Sequence, residues 1–365
     1  RIMAYTNIDD PSAFFQTVIW TGNSGSNVNV VNDGNSDLQP DFIWAKERTS
    51  PGGYDYNHNL IDSSRGVTKT IWIDSTDAEK TATQSSYDLQ SFNTDGFTTG
   101  APEYTNSLGG SAVTDGKVAW QWKCNGGTTA SNTDGDITTT VQVNQDAGFS
   151  IVTYNPGSGQ SPSAIDIGHG LGAAPGCIII RNRTRVENPR FWHQSIGDGG
   201  AILDGTSAYN SSTSTLVNTV NSTIFNVGTD FSVNGGYPIV AWCWAEKQGY
   251  SQFSTYKGTG DADGPFVYTG FRPAFILFKK SSDAGDNWMM YDHKRPGFNF
   301  TDEALHPNSA VGEYDHPNAN LDIVSNGFKL RSSFGWVNQS GHTYMYMAFA
   351  EHPFVTSTGI PTTAR

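Results

Sequence analysis

Short runs of alternating apolar and polar side chains, set between clusters of Gly, Pro, Asn, Asp and Ser, make up most of this chain. In KVAWQWK, Val118, Trp120 and Trp122 share one face while Ala119, Gln121 and Lys123 take the other, because successive side chains of a strand point to opposite sides. The same alternation aligns Val240, Trp242 and Trp244, and again Met345, Met347 and Phe349. Bulky residues on one side at a period of two predict half-buried strands packed on a core, as in an antiparallel sandwich. No long amphipathic helix is expected; only 76–85 and 301–305 read as short helices.

The pattern repeats three times, with four landmarks in constant order. An aromatic with a Gly-containing turn comes first, in IWTGN from 19, VTYNPG from 152 and STYKGTG from 254. A Pro then opens a strand that ends in a basic residue: Pro40 to Lys46, Pro175 to Arg181, Pro273 to Lys279. A turn into Phe follows at Phe97, Phe231 and Phe328, and an aromatic strand closes each copy at Lys123, Glu246 and Glu351. From Pro to Phe the separations are 57, 56 and 55 residues, so one supersecondary unit recurs.

These units predict an all-β fold of three tandem antiparallel β-sandwich modules, jelly-roll-like, at 16–124, 149–250 and 251–352. A polar linker with one embedded strand, ITTTVQV, occupies 125–148, and extended arms at 1–15 and 353–365 are expected to order on a neighbour. Aromatic residues are 12% of the 365, too many for a disordered chain. The net charge of −13 disfavours nonspecific nucleic-acid binding. The longest apolar runs, such as Cys177 to Ile180, are far too short for a membrane-spanning helix. The start, RIMAYTNIDD, has neither the basic nor the apolar region of a secretory signal, and Met3 fits a natural initiator. Cys124, Cys177 and Cys243 lack metal-site spacing and read as buried small hydrophobes.

Candidate chemistry is sparse. GHGLGA at 168–173 matches a dinucleotide fingerprint, but Pro175 follows and no helix pattern develops, so a turn is expected. Asn132, Asp134 and Asp136 imitate the first ligands of a calcium loop, yet Ile137 replaces the required Gly. Ordinary turn chemistry accounts for them, with calcium near Asp134 and Asp136 as the alternative and no other cofactor expected. Glycan recognition calls for aromatic platforms beside Asp, Asn or Arg. Tyr54 and Tyr56 before Asp62 and Arg65, Trp192 and His193, Trp288 before Asp292 and Arg295, and the loop residues Trp72 and Trp336 are the glycan- or partner-contact candidates. The competing reading makes Trp192 and Trp288 core residues of strands. No catalytic residue is assigned, because no acid pair of the kind glycoside hydrolysis needs is recognisable.

MAYTNIDDPSAFFQT, SFNTDGF, SNTDGDIT, GHGLGAAPG, DADGPFVYTGFRPAFILFKK and YMYMAFAEHPF together resemble a repeat family common in proteins of marine tailed bacteriophages. Its modules are similar to concanavalin-type or SPRY-type jelly rolls, and its members are labelled structural or tail-fibre-like. The resemblance implies a non-enzymatic virion protein assembled in the host cytoplasm, and does not say which one; a tail fibre or appendage component is the favoured reading, with a capsid decoration or head fibre as the alternative. Its partners would be further copies of itself, a trimer by closed symmetry, other virion proteins and a host-surface polysaccharide. A carbohydrate-binding adhesin and a glycan depolymerase are the competing classes.

Overall fold

The computed structural model describes residues 5–22, 27–49, 55–81, 89–100, 116–157, 163–211, 215–296 and 298–362. The chain is nearly all β, and its paired strands are antiparallel. Three larger sheets repeat one order. In the first, Phe15–Thr21 pairs with the closing strand Gly116–Trp122, which pairs with Phe42–Glu47, and that with Asn59–Asp62. In the second the order is Phe149–Tyr154, Ile239–Trp244, Cys177–Asn182, Arg190–His193. In the third it is Ser251–Lys257, Thr343–Pro353, Phe271–Lys280, Met289–Asp292. Each is accompanied by a small three-stranded sheet: Val28–Val30, Phe97–Thr99 and Leu89–Phe92; Ile165–Gly168, Ile224–Val227 and Val217–Val220; Phe266–Tyr268, Gly327–Leu330 and Leu321–Val324.

The closing strands are buried on both faces, which the one-sided reading of their alternation missed. Trp120, Trp122, Trp242, Trp244, Met345, Met347 and Phe349 all enter one core shared by the three larger sheets. The intervening small residues Ala119, Ala241 and Cys243, and Ala348 and Ala350, face three separate cores beneath the small sheets. Large side chains thus fill the wide space where three sheets meet, while Ala and Cys let each small sheet approach its larger one closely. Ring contacts run across the common core, with Phe42 5.1 Å from Trp242 and Trp122 5.8 Å from both Trp244 and Phe275. Burying one Trp here removes enough apolar area to contribute about 4 kcal/mol.

The three sheets close on one another through equivalent contacts that run in a cycle. The Glu79 N–H donates to the Arg183 carbonyl at 2.8 Å, Tyr209 to Ser281 at 3.1 Å, and Glu313 to Arg48 at 2.7 Å. The basic residues that end the Pro-initiated strands complete the cycle. Lys46 Nζ donates to the Ala310 carbonyl at 2.9 Å, Arg181 Nη2 to Ser75 at 3.2 Å, and Lys279 Nζ to Thr206 at 3.3 Å. All three are buried, and burial lowers their pKa values to about 8, 10 and 8. First bonds to second, second to third, and third back to first.

Several elements differ from expectation. The segment 125–148 is no free linker: Ala130–Asn132 and Thr139–Asn144 extend the second large sheet. Its entry wraps the buried Asp41, whose carboxylate accepts the N–H groups of Cys124, Gly126 and Gly127. That tight wrap uses positive φ at both glycines, 60° and 80°. Neither expected helix forms in the described residues; Lys80–Thr81 is an edge strand of the first large sheet and Glu303–Ala304 pairs with Tyr314–Asp315 in a two-stranded sheet of its own. Phe231 lies outside any strand, and Phe225 occupies the core position matching Phe97 and Phe328. The terminal segments lie on their own chain, the Ser357 N–H donating to Asp9 Oδ1 at 2.6 Å and Tyr5 Oη to the Gly270 carbonyl at 2.8 Å.

Candidate functional site

The hairpins that carried most sugar-binding candidates sit at the junctions between sheets. Asp62 pairs with Arg65 at 2.6 Å, both side chains fully buried, and accepts the indole N–H of Trp242 from the second sheet at 3.1 Å. Arg65 also binds Glu79 at 2.9 Å, and Glu79 binds Arg183 across the junction at 2.8 Å. The third-to-first junction repeats this: Asp292 with Arg295 at 2.6 Å, Trp120 Nε1 on Asp292 at 3.1 Å, Arg295 with Glu313, and Glu313 with Arg48. Neighbouring Arg295 holds the Asp292 pKa down against burial.

At the second-to-third junction the same register positions hold His193, Ile196 and Met347. Without an indole N–H to accept and a guanidinium to neutralise, a carboxylate would be buried alone. The residue there is a neutral His. His193 Nδ1 accepts the Ser195 N–H at 3.2 Å, so Nε2 carries the proton and donates to the Tyr346 carbonyl at 3.0 Å. Burial pushes its pKa down to about 4.

This geometry corrects several site assignments. Trp192, His193 and Trp288 are buried, at 6%, 0% and 1% exposure, and offer no face to a solute. Trp192 and His193 lie on an inner strand and Trp288 directly precedes one, its Nε1 donating to the Ile202 carbonyl of the second sheet at 2.9 Å. Trp336 is half-buried on a one-turn helix, against Phe334, His306 and His316. Trp72 is half-buried, with the Lys80 ammonium 4.5 Å above its ring. Tyr56 is half-buried at a small crevice beside Lys46 and Lys117. Tyr54 lies outside the described residues. Asp134 accepts from Asn132 Nδ2 at 2.8 Å within its own turn, and Asp136 accepts the N–H of Asp166 at 2.8 Å from the second small sheet. Among the described residues no three His, Cys, Asp or Glu side chains converge on one point.

One cleft, of about 150 Å³, opens between the first and third large sheets, lined by Gln16, Asp33, His293, Lys294 and Glu351 among others. It is smaller than an ordinary ligand pocket. Asp33 is paired with Lys294 at 2.7 Å and Glu351 with Arg272. Only a protonated His293 Nδ1 can bond the Ala274 carbonyl, which leaves the lone pair on Nε2. Burial lowers its pKa to about 4, too low for an efficient general base near neutral pH. A second cleft, about 250 Å³, lies between residues 5–8 and Lys247.

The small sheets turn their outer faces away from the core. The first carries Asn29 and Thr98 outward, tied together by Asn93 at 2.8 and 3.0 Å. The second carries Asp166, Asn226 and Asn218, linked at 2.7 and 3.0 Å. The third carries Phe266 and Tyr268, 47% and 50% exposed, in register with Lys329 and Gly327. A Cβ at Gly327 would meet the Val267 carbonyl at 2.0 Å and the Phe266 ring at 3.0 Å, so only glycine fits beneath that ring. Beside them Asp263 binds Lys329 at 2.9 Å and Arg331 at 3.1 Å, and Asp322 binds Arg331 at 2.5 Å. Phe266 and Tyr268 were not among the sequence candidates. Their signal was the alternation in PFVYTGF, where Val267 points inward between two outward rings.

An antiparallel all-β protein with an ion-paired cleft between two of its sheets and, among the described residues, one aromatic outer face is the class this geometry defines. The chain belongs to the family described as Domain of unknown function (DUF7483), whose model matches residues 10–353. No curated protein and no solved structure matches it significantly.

Proposed function

We propose that this protein is a non-enzymatic structural component of a tailed-phage virion, a tail fibre or appendage subunit, with capsid decoration or a head fibre as the alternative placement. The phage setting rests on the resemblance of its repeats. In this reading the three pairs of large and small sheets are three tandem sandwich modules, and the virion, assembled in the host cytoplasm, is where the protein works. Its partners are further copies of itself and other virion proteins, with a host-surface polysaccharide beyond them.

The observation that carries the structural role is the cyclic closure of three sheets on one aromatic core. The Asp–Arg hairpins, the strand-end cations and nine of the twelve largest fully buried side chains are engaged in holding the three large sheets together. A depolymerase would need a carboxyl pair on a substrate cleft, whereas Asp33 and Glu351 in the cleft between the first and third large sheets are each neutralised by a cation. Outer faces and terminal segments remain for contacts with neighbours.

Light scattering on the purified chain tests the assembly part. A stable multiple of 39.5 kDa, three copies above all, is expected for a fibre or appendage; a persistent monomer favours decoration. Peptide mass spectrometry of gradient-purified virions encoded by the same genome tests the setting, and absence of this chain from them would remove it.

A further inference from the structure

Four aromatic side chains stand out as exposed among the described residues: Phe266, Tyr268, Phe298 and Phe300. All four flank the third small sheet. Phe266 and Tyr268 lie on one edge strand. Phe298 and Phe300 border the opposite edge, where Asn299 between them bonds both backbone groups of Ile323, at 2.8 and 3.0 Å. The corresponding outer faces of the other two small sheets carry Asn, Asp and Thr that satisfy one another. Exposed rings in this number are costly in water, and a cluster of them marks a contact surface.

We propose that the outer face of the third small sheet binds an uncharged polysaccharide, with Phe266 and Tyr268 as the stacking platform and Asp263, Lys329 and Arg331 as the hydrogen-bonding rim. This deepens the host-surface role proposed above and rests on it. A sugar ring presents a C–H face and a rim of hydroxyls, and the surface offers the complement of each. The two rings stand at alternate positions of one strand, about 7 Å apart, with electron-rich faces that attract C–H groups. Carboxylates accept from hydroxyls, and ammonium and guanidinium groups donate to them. Two cations and two carboxylates interlock beside the rings and leave the patch without net charge, which matches a neutral partner. The overall charge of −13 repels an anionic polymer. Tyr268 is oriented in advance, its hydroxyl 3.3 Å from that of Tyr5, so little freedom is lost on binding.

Affinity electrophoresis and titration calorimetry of the full chain against laminarin, dextran and yeast mannan as neutral polymers, with alginate as the anionic comparator, test the proposal. At least one neutral polymer is expected to bind and alginate not. The double variant Phe266→Ala/Tyr268→Ala should lose at least tenfold in affinity while the fold survives with a melting temperature lowered by only a few degrees, since both side chains are about half exposed. Tyr268→Phe should keep the binding, and Arg331→Ala, which leaves both rings in place, should weaken it several-fold. Failure of all three neutral polymers, preference for alginate, binding that survives the double variant, or capture of a protein partner by this face instead would each overturn it. None of these outcomes bears on whether the chain is found in purified virions, so the two readings fail separately.

Discussion

Asp62 and Asp292 illustrate how one buried carboxylate becomes stabilising only through its neighbours. Each accepts from a guanidinium and from an indole of another sheet, so its desolvation is offset by charge-assisted hydrogen bonds. Asp62→Ala should cost about 3–5 kcal/mol, because Arg65 stays fully buried with only Glu79 to balance it. Trp242→Phe keeps the ring and removes one N–H, and should cost about 1.5–3 kcal/mol; chemical denaturation of the two variants measures both. His193, the counterpart at the second-to-third junction, is held neutral where the two aspartates are held charged. Its folded pKa of about 4 lies below the unfolded value of 6.5, so its stabilisation is complete above pH 6.5 and is lost as pH falls toward 4. The loss amounts to roughly 3 kcal/mol at the acid end. His58, His169, His293 and His306 are likewise held neutral by burial and add to the slope, while Asp74, raised to about 6, opposes it. Melting temperature should therefore fall from pH 7 to 5, and less steeply in His193→Gln.

The strands were legible because alternation is local: each Trp in KVAWQWK and IVAWCWAE lies on the face its parity demands. What covers the opposite face is not local, and Ala119 or Ala241 looks the same in sequence whether it meets water or a second sheet. The Asp–Arg hairpins were visible as residues and misread as sugar ligands, since nothing along the chain says that Trp242 will supply the third partner of Asp62. Spacing misled once. Phe231 fits the Pro-to-Phe interval, but the second copy reaches its core with Phe225. Phe225→Ala should thus cost about 3–5 kcal/mol, whereas Phe231→Ala, half-buried and covered by the Arg185 guanidinium 4.4 Å above its ring, should cost about 1 kcal/mol. Urea unfolding of the pair decides between spacing and register.

At the scale of the whole molecule, the common core makes the three sheet pairs interdependent. Removing one would strip cover from Trp122, Trp244 and Phe349 together. A single calorimetric transition is expected, with calorimetric and van't Hoff enthalpies in agreement; three separate transitions would mean that the central packing contributes little. The three junctions are also not alike in how the backbone reaches them. Between the second and third large sheets the chain needs only residues 245–250, and there the ion-paired hairpin is absent. Between the third and first no covalent link exists, and there the full Asp292–Arg295–Glu313–Arg48 chain of contacts is present. A short tether holds its two ends at a local concentration on the order of millimolar, so contact strength matters most at the junction that has no direct tether. This seam, without a direct tether, leans most on its own contacts, and it is the place where the ring could open and trade its closing partner with another copy once the protein is more concentrated than its own two ends are to each other.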